Sequence, residues 1–138
     1  MARIMAIDYG SKNVGIAVTD PLQIIATGLT TVHSKDVIDF LKKYMEKEEV
    51  VCIVVGEPRQ MNNEPSESAR FIEPFVMHLK RTFSGIKVER MDERFTSKMA
   101  FQTMIDSGLK KKARQDKKLV DEISATIILQ SYLNKNNG

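Results

Sequence analysis

The chain has 138 residues, of which 42% are hydrophobic and 28% charged, a composition typical of a globular chain with a core of its own. Disordered, collagen-like and coiled-coil proteins are excluded, and we expect one domain over residues 1–138. The formal net charge of +3 permits a nucleic-acid partner without requiring one. The single cysteine, Cys52, excludes an intramolecular disulfide and a cysteine-rich zinc cluster. No apolar run approaches the roughly 20 residues of a membrane span, so we expect a cytoplasmic protein without a membrane partner.

Three strand patterns open the chain. Arg3–Ile7 is a nearly continuous apolar run that ends at Asp8, as in a strand covered on both faces. Val14–Val18 follows after a polar turn and is close enough to form a hairpin with the first strand. Pro21 then breaks the chain, and Ile24–Val32 supplies a third strand.

Helical and strand patterns alternate in the middle of the chain. Ser34 is predicted to cap an amphipathic helix over about Lys35–Lys47. The β-branched run Val50–Val55 is the strongest strand pattern. A second helix is predicted over about Ala69–Phe83, in which Pro74 either kinks the helix or marks its true first turn.

The last part of the chain supplies one strand and two helices. A short alternating strand is predicted at Ile86–Met91, a helix from Thr96 to about Ser107, and an apolar helix over about Lys118–Asn134. Hairpin strands followed by alternating helices and strands predict an α/β fold. We expect a mixed five-stranded sheet with helices on both faces.

Acidic residues stand at strand ends that are far apart in the chain, and one more lies near the start of the last helix: Asp8, Glu57, Asp92, Glu93 and Asp121. Ligand sites in open α/β sheets favour strand ends, so these carboxylates are expected to converge. Crowded carboxylates repel each other unless a cation compensates them. Oxygen-only ligands suit Mg²⁺ or Mn²⁺, which in pairs promote phosphodiester cleavage. Each acid alone has an ordinary alternative as a turn residue or a helix-start residue.

The last helix is expected to bring its acid against the sheet. The positions stacked with Asp121 are Ala125, Ile128 and Tyr132, so its carboxylate lies on an apolar stripe. The small side chains of Ser124 and Ala125 allow the helix to approach the sheet closely.

Several segments together resemble the YqgF/RuvX family: Ala6–Gly10 with Val14–Ala17, Asp92–Ser97, and Val120–Leu133. That family is similar to the RuvC-type Holliday junction resolvases and has the ribonuclease-H-like fold. The resemblance covers nearly the whole chain. It implies a metal-dependent nuclease that processes the 5′ end of pre-16S rRNA, with Mg²⁺ or Mn²⁺ as cofactor and a pre-ribosomal particle as a further partner.

The resemblance also implies which acids form the site. The catalytic and metal-binding residues of the family fall on Asp8, Glu93 and Asp121. The family commonly has an apolar residue where this chain has Glu57. Glu57 is therefore either an additional metal ligand or, as we favour, a surface acid.

Basic residues beside the predicted acids are candidates for contacts with nucleic-acid phosphates. One basic run leads directly into the last helix and contains Lys110, Lys111, Lys112, Arg114, Lys117 and Lys118. Lys12 lies in the first hairpin turn, and Arg59 follows the fourth strand. Arg94 either pairs with the neighbouring acids or clamps a phosphate. The alternative for the basic run is a solvated loop that makes no contact with nucleic acid.

Three other functions stay open at this point. The first is a Holliday junction resolvase acting on branched DNA, and the second is a non-catalytic nucleic-acid or ribosome-assembly binding module. The third is an actin-like ATP-binding domain, because Asp8–Ser11 resembles the first phosphate loop of the actin-like kinases. Length argues against the third, since those enzymes close two such domains over the nucleotide. The sequence distinguishes neither RNA from branched DNA nor a monomer from a homodimer.

Overall fold

The structure, a computed structural model, describes residues 2–10, 12–57, 69–92 and 117–137. Its strands are β1 (Arg3–Tyr9), β2 (Asn13–Thr19), β3 (Ala26–His33), β4 (Val50–Glu57) and β5 (Lys87–Asp92). Its helices in the described ranges are α1 (Val37–Lys47), α2 (Ala69–Thr82) and the last helix (Lys117–Asn137), here called α3. None of these helices is long and apolar enough to cross a membrane.

The strands form one mixed sheet in the order β3-β2-β1-β4-β5. The central strand β1 pairs antiparallel with β2 and parallel with β4. Beyond them, β3 pairs antiparallel with β2, and β5 pairs parallel with β4. The predicted hairpin and the predicted five-stranded mixed sheet are confirmed. The carboxyl ends of β1, β4 and β5 therefore meet at one edge of the sheet, beside the start of β2.

Side-chain alternation along the sheet divides the core into two layers. On β1, Met5 and Ile7 pack with α1 and α2, whereas Ile4 and Ala6 pack with α3. The layer under α3 has small residues, Ala6 and Ala17, on its central strands. Helices thus cover both faces, and α3 lies close to the sheet because little side-chain volume separates them.

Two predicted element starts are wrong, those of α1 and β3. Ser34 does not cap α1: the N-cap residue is Asp36, without a side-chain capping bond, and the Ser34 amide donates to the Lys12 carbonyl at 2.8 Å. Strand β3 begins at Ala26 rather than Ile24. The Asp20 carboxylate accepts hydrogen bonds from the amides of Ile24 and Ile25 at 2.8 and 2.7 Å, which holds both residues in the preceding loop.

The remaining elements agree with prediction to within a few residues. Pro74 is exposed and lies inside α2, which begins at Ala69, so it does not mark the first turn of the helix. Strand β5 begins one residue later than predicted, and α3 extends beyond its predicted bounds at both ends. The helix predicted from Thr96 to Ser107 falls outside the described residues. Cys52 is free and buried.

Candidate active site

Asp8 stands at the sheet edge where the parallel strands end. It is the second-last residue of β1, is half-buried, and pairs directly with Gly15 of β2. Directly opposed residues of an antiparallel pair share a face of the sheet. The Asp8 side chain therefore lies on the face covered by α3, the face that Ile4 and Ala6 also share.

Gly15 is the point at which α3 contacts the sheet through its backbone. A Cβ atom built on Gly15 would lie 2.0 Å from the carbonyl oxygen of Asp121 and 2.4 Å from its carbonyl carbon. No side chain fits between the strand and the helix at this position, so glycine is required. The structure thereby brings Asp121 directly above the cross-strand neighbour of Asp8, and the two predicted acids become neighbours on one face.

The apolar stripe predicted around Asp121 is confirmed. Ala125 and Ile128 are buried, and the Oδ2 atom of Asp121 is buried as well. Ser124 is buried too, and its Oγ has no hydrogen-bond partner within the described part of the chain. A carboxylate oxygen in such surroundings is costly unless positive charge or hydrogen bonds compensate it.

A second glycine supports the same end of α3. A Cβ atom on Gly28, in the neighbouring strand β3, would lie 2.6 Å from Oε1 and 2.8 Å from Cγ of Glu122. Glu122 follows Asp121 directly, and its carbonyl oxygen accepts a hydrogen bond from the Thr126 hydroxyl at 2.9 Å. The turn of α3 that carries Asp121 therefore rests on two adjacent strands that both lack a side chain at the contact.

The other end of α3 is held by a polar cluster. The Tyr132 hydroxyl donates a hydrogen bond to Oε2 of Glu89 on β5, and Lys87 Nζ lies 2.9 Å from Glu89 Oε1. The pKa of Glu89 lies below its ordinary value, mainly because of the contact with Lys87 and secondly because of the Tyr132 hydroxyl. Burial raises the pKa of the nearby Cys52 thiol, whose sulfur lies 3.9 Å from the Tyr132 oxygen. Fixed at both ends, α3 has little freedom to move Asp121 away from Asp8.

Of the other predicted site acids, the structure gives the backbone positions of Glu57 and Asp92 at this edge of the sheet. Glu57 ends β4 and pairs with Asp92, the last residue of β5. The chain therefore leaves β5 toward Glu93 from the edge where β1 ends. Glu93 itself lies outside the described residues. Among the residues that the structure does describe, no group of three or more His, Cys, Asp or Glu side chains could hold a metal ion.

Of the predicted phosphate contacts, the structure describes few. Lys12 is exposed in the turn between β1 and β2, and Lys117 and Lys118 are the first residues of α3. The others fall outside the described residues: Arg59, Arg94, Lys110, Lys111, Lys112 and Arg114.

Sequence reasoning missed the residues that position the acids. Gly15 and Gly28 were assigned to strands without a role, and the Tyr132 contact with Glu89 was not foreseen. A glycine among β-branched residues in a strand interior does signal close approach of another backbone, so Gly15 could have been found. No comparable signal exists for the Tyr132 contact, which depends on where α3 crosses β5.

The RuvX family model, described as a Holliday junction resolvase, matches residues 2–135. The chain belongs to the RuvX family. A relative from Flavobacterium psychrophilum is 63% identical over 135 residues, which cover 98% of each chain. One from Phocaeicola vulgatus is 63% identical over 133 residues, 96% of each chain. Both are named "Putative pre-16S rRNA nuclease". The family resemblance seen in the sequence motifs is thus confirmed.

The RuvX chain also shares its fold with a solved resolvase. Thermus thermophilus RuvC in complex with a Holliday junction substrate aligns with a TM-score of 0.57 at 16% identity, over 100% of this chain and 97% of that one. A second Thermus thermophilus RuvC structure aligns with a TM-score of 0.55 at 16% identity, over 99% of this chain and 96% of that one. At this identity the likeness concerns the fold alone, and the fold is the ribonuclease-H-like one that the resemblance implied.

Proposed function

We propose that this RuvX chain is a metal-dependent endonuclease that hydrolyses phosphodiester bonds during 5′-end processing of pre-16S rRNA in the cytoplasm. The observation that carries the proposal is the backbone contact of Gly15 with Asp121, because it makes Asp121 a neighbour of Asp8. The substrate class is supported by the names of relatives that are 63% identical over nearly the whole chain.

The residues present fit a divalent cation. Asp8 and Asp121 offer oxygen ligands only, which Mg²⁺ and Mn²⁺ prefer. A cation beside the buried Oδ2 of Asp121 would lower the cost of burying its charge. We assign Glu93 as the third ligand, because β5 ends beside β4 at the edge where β1 ends, and Glu57 stays a candidate fourth ligand. When bound, such ions activate a water molecule and stabilise the leaving oxygen.

The protein's own groups hold and orient the substrate in this proposal. Asp8 is carried by the central strand and Asp121 by a helix anchored at both ends, so the site is preorganised. Lys12, at the adjacent turn, is assigned a phosphate contact. The remaining assigned phosphate contacts are Arg59, Arg94, Lys110, Lys111, Lys112, Arg114, Lys117 and Lys118.

Cleavage of a labelled pre-16S rRNA fragment with Mg²⁺ tests the proposal. Asp8→Asn and Asp121→Asn are expected to lower the cleavage rate at least about 100-fold, because loss of a metal ligand removes several kcal/mol of transition-state stabilisation. Binding of the fragment should persist. Glu46→Gln, which removes an exposed carboxylate on α1, is the matched control and should cleave normally. Wild-type rates in both aspartate variants would overturn the assignment.

The family description favours a second candidate, resolution of Holliday junctions in branched DNA. A resolvase must present two sites to two strands and should be a two-fold dimer, whereas a trimming nuclease can work as a monomer. Cleavage of a four-way DNA junction in preference to the rRNA fragment, together with a dimeric solution mass on the junction, would select the resolvase. Binding of either nucleic acid without cleavage would instead indicate a non-catalytic binding module.

A further inference from the structure

A groove of about 620 Å³ lies on the sheet face opposite to α3, between α1 and α2. We call it the α1–α2 groove. Its walls include Tyr9 from β1, Ile38 and Lys42 from α1, and Pro74 and His78 from α2. The volume is that of a small-ligand pocket, large enough for a nucleotide and too small for a duplex. The groove is distinct from the acidic site, because it lies under the other layer of helices.

One wall of the groove is an aromatic platform. The Tyr9 ring stacks on Phe75 with centroids 4.1 Å apart and planes inclined by 18°. Phe75 is buried in the core, so it fixes the Tyr9 ring in place. A fixed aromatic ring beside the aliphatic surfaces of Ile38 and Pro74 suits a nucleobase.

The polar rim of the groove carries more positive than negative groups. Lys35 and Lys42 are exposed on its α1 side, and Asp39 is the one carboxylate among the described residues that line it. Neither lysine forms an ion pair with another residue that the structure describes. Two ammonium groups not committed to a carboxylate favour an anionic occupant such as a phosphate.

The groove and the acidic site flank the same edge of the sheet, one on each face. Tyr9 follows Asp8 directly, and successive strand residues lie on opposite faces. Lys12 occupies the turn at this edge, and its carbonyl accepts the Ser34 amide of the groove wall at 2.8 Å. A strand that passes Asp8 therefore meets a lysine and then the groove.

We propose that the α1–α2 groove binds an unpaired RNA strand that flanks the cleavage site. One base lies against Tyr9, Ile38 and Pro74, and the adjoining phosphates lie beside Lys35 and Lys42. This inference rests on the proposed function, since RNA at Asp8 supplies the strand. The occupant is unpaired because only an unstacked base can enter such a pocket.

Salt-dependent binding tests the inference. Two RNA hairpins are compared, with and without an unpaired flank of about eight nucleotides, in chelator to prevent cleavage. For the flanked RNA, Lys35→Gln with Lys42→Gln should reduce the slope of log K against log salt by about 1.4, near 0.7 for each lost phosphate contact. The hairpin without a flank should show no change.

The matched control is Lys43→Gln with Lys47→Gln, which removes the same charge from exposed positions of α1 outside the groove. This control should leave the flank-dependent slope unchanged. Equal effects of the two double variants, or no effect of either, would overturn the inference.

Photocrosslinking supplies an independent readout. A 4-thiouridine in the flank should crosslink to the peptide that contains Tyr9 or to the one that contains Pro74, identified by mass spectrometry. Crosslinks confined to α3 would contradict the groove. Failure of the nuclease proposal is distinguishable: a chain that never cleaves but keeps the flank-dependent slope upholds the groove, whereas normal cleavage without any flank effect overturns the groove alone.

Discussion

Gly15→Ala is the substitution that best tests how the fold brings the two aspartates together. The new Cβ would lie 2.0 Å from the Asp121 carbonyl oxygen, whereas an ordinary contact is about 3.4 Å. The helix must therefore retreat from the sheet by about 1.4 Å, the difference between these distances. Both sides of the contact are backbone, so no change of rotamer can relieve it.

The expected effects follow from the size of that displacement. Overpacking a close contact of this kind typically costs about 1–3 kcal/mol of unfolding free energy. A displacement of about 1 Å in a catalytic group can cost about 100-fold in rate. Because Asp121 is the residue in contact, we expect Gly15→Ala to lower cleavage of the rRNA fragment by about that factor in molecules that remain folded. Urea denaturation followed by circular dichroism measures the first effect, and single-turnover cleavage measures the second.

The chain offers graded controls for this experiment. The three atoms nearest to a Cβ on Gly28 all belong to the Glu122 side chain, which can rotate away, so Gly28→Ala should cost less stability and little activity. A Cβ on Gly85 would meet no atom within 4 Å, so Gly85→Ala should resemble the wild type. If Gly15→Ala and Gly85→Ala proved equal in both stability and rate, the close packing of α3 would not be what positions Asp121.

Two further predictions concern other contacts. Tyr132→Phe removes the hydroxyl that donates to Glu89 and should lower the unfolding free energy by about 1 kcal/mol at neutral pH, measured by urea denaturation. The pKa of Glu89 is lower in the folded protein than its ordinary value of 4.5, so this contribution to stability is present above pH 4.5 and is lost as the pH falls through the folded pKa. The variant and the wild type should therefore become equally stable in acid. A difference in stability that does not change with pH would contradict the assignment. Asp20→Asn should speed amide hydrogen exchange at Ile24 and Ile25, measured by NMR, because the carboxylate accepts both amides. The hydrogen bond from Ile25 is the main cause, and that from Ile24 a smaller one, of an Asp20 pKa below its ordinary value. Exchange at these amides in the wild type should therefore speed up only as the pH falls through that lowered pKa. Unchanged exchange in the variant would mean that other contacts order the loop.

The sheet was predictable because its signals are local. Continuous apolar runs such as Val50–Val55 identify buried strands, and the short turn after Asp8 identifies the hairpin. The stripe beside Asp121 followed from helical spacing alone, and the burial of Ala125 confirms it. Signals of this kind need no knowledge of the partner surface.

The errors arose where a residue had two possible partners. Ser34 is a favourable N-cap residue type, but its backbone is held against the turn at Lys12, and α1 starts only at Val37. Ile24 continues an apolar run, yet its amide is held by the nearby Asp20 carboxylate. The first contact joins distant segments, which no local pattern records, and the second is a local turn that competes with the strand pattern.

The candidate site was likewise predictable only in part. Spacing indicated that acids at strand ends would converge, and the resemblance selected Asp8, Glu93 and Asp121 among them. The means of convergence, a helix backbone seated on Gly15, depends on the pairing of β2 with β1 and on where α3 crosses them. The catalytic and metal-binding roles of Asp8, Glu93 and Asp121 and the possible role of Glu57 all stay predictions. Glu93 lies outside the described residues, and only the backbone of Glu57 is described.

The central position of β1 has a consequence for how the protein can be inactivated. This strand has hydrogen-bonded neighbours on both sides and a packed layer on each face, and Ile7 is fully buried. Amides in such a strand exchange with solvent only when the whole molecule opens. Asp8 is therefore attached to a segment that stays ordered until the whole molecule unfolds. Because the buried side chains of Ala125 and Leu129 tie α3 to the same core, heat or denaturant should separate the two aspartates only in molecules that unfold completely.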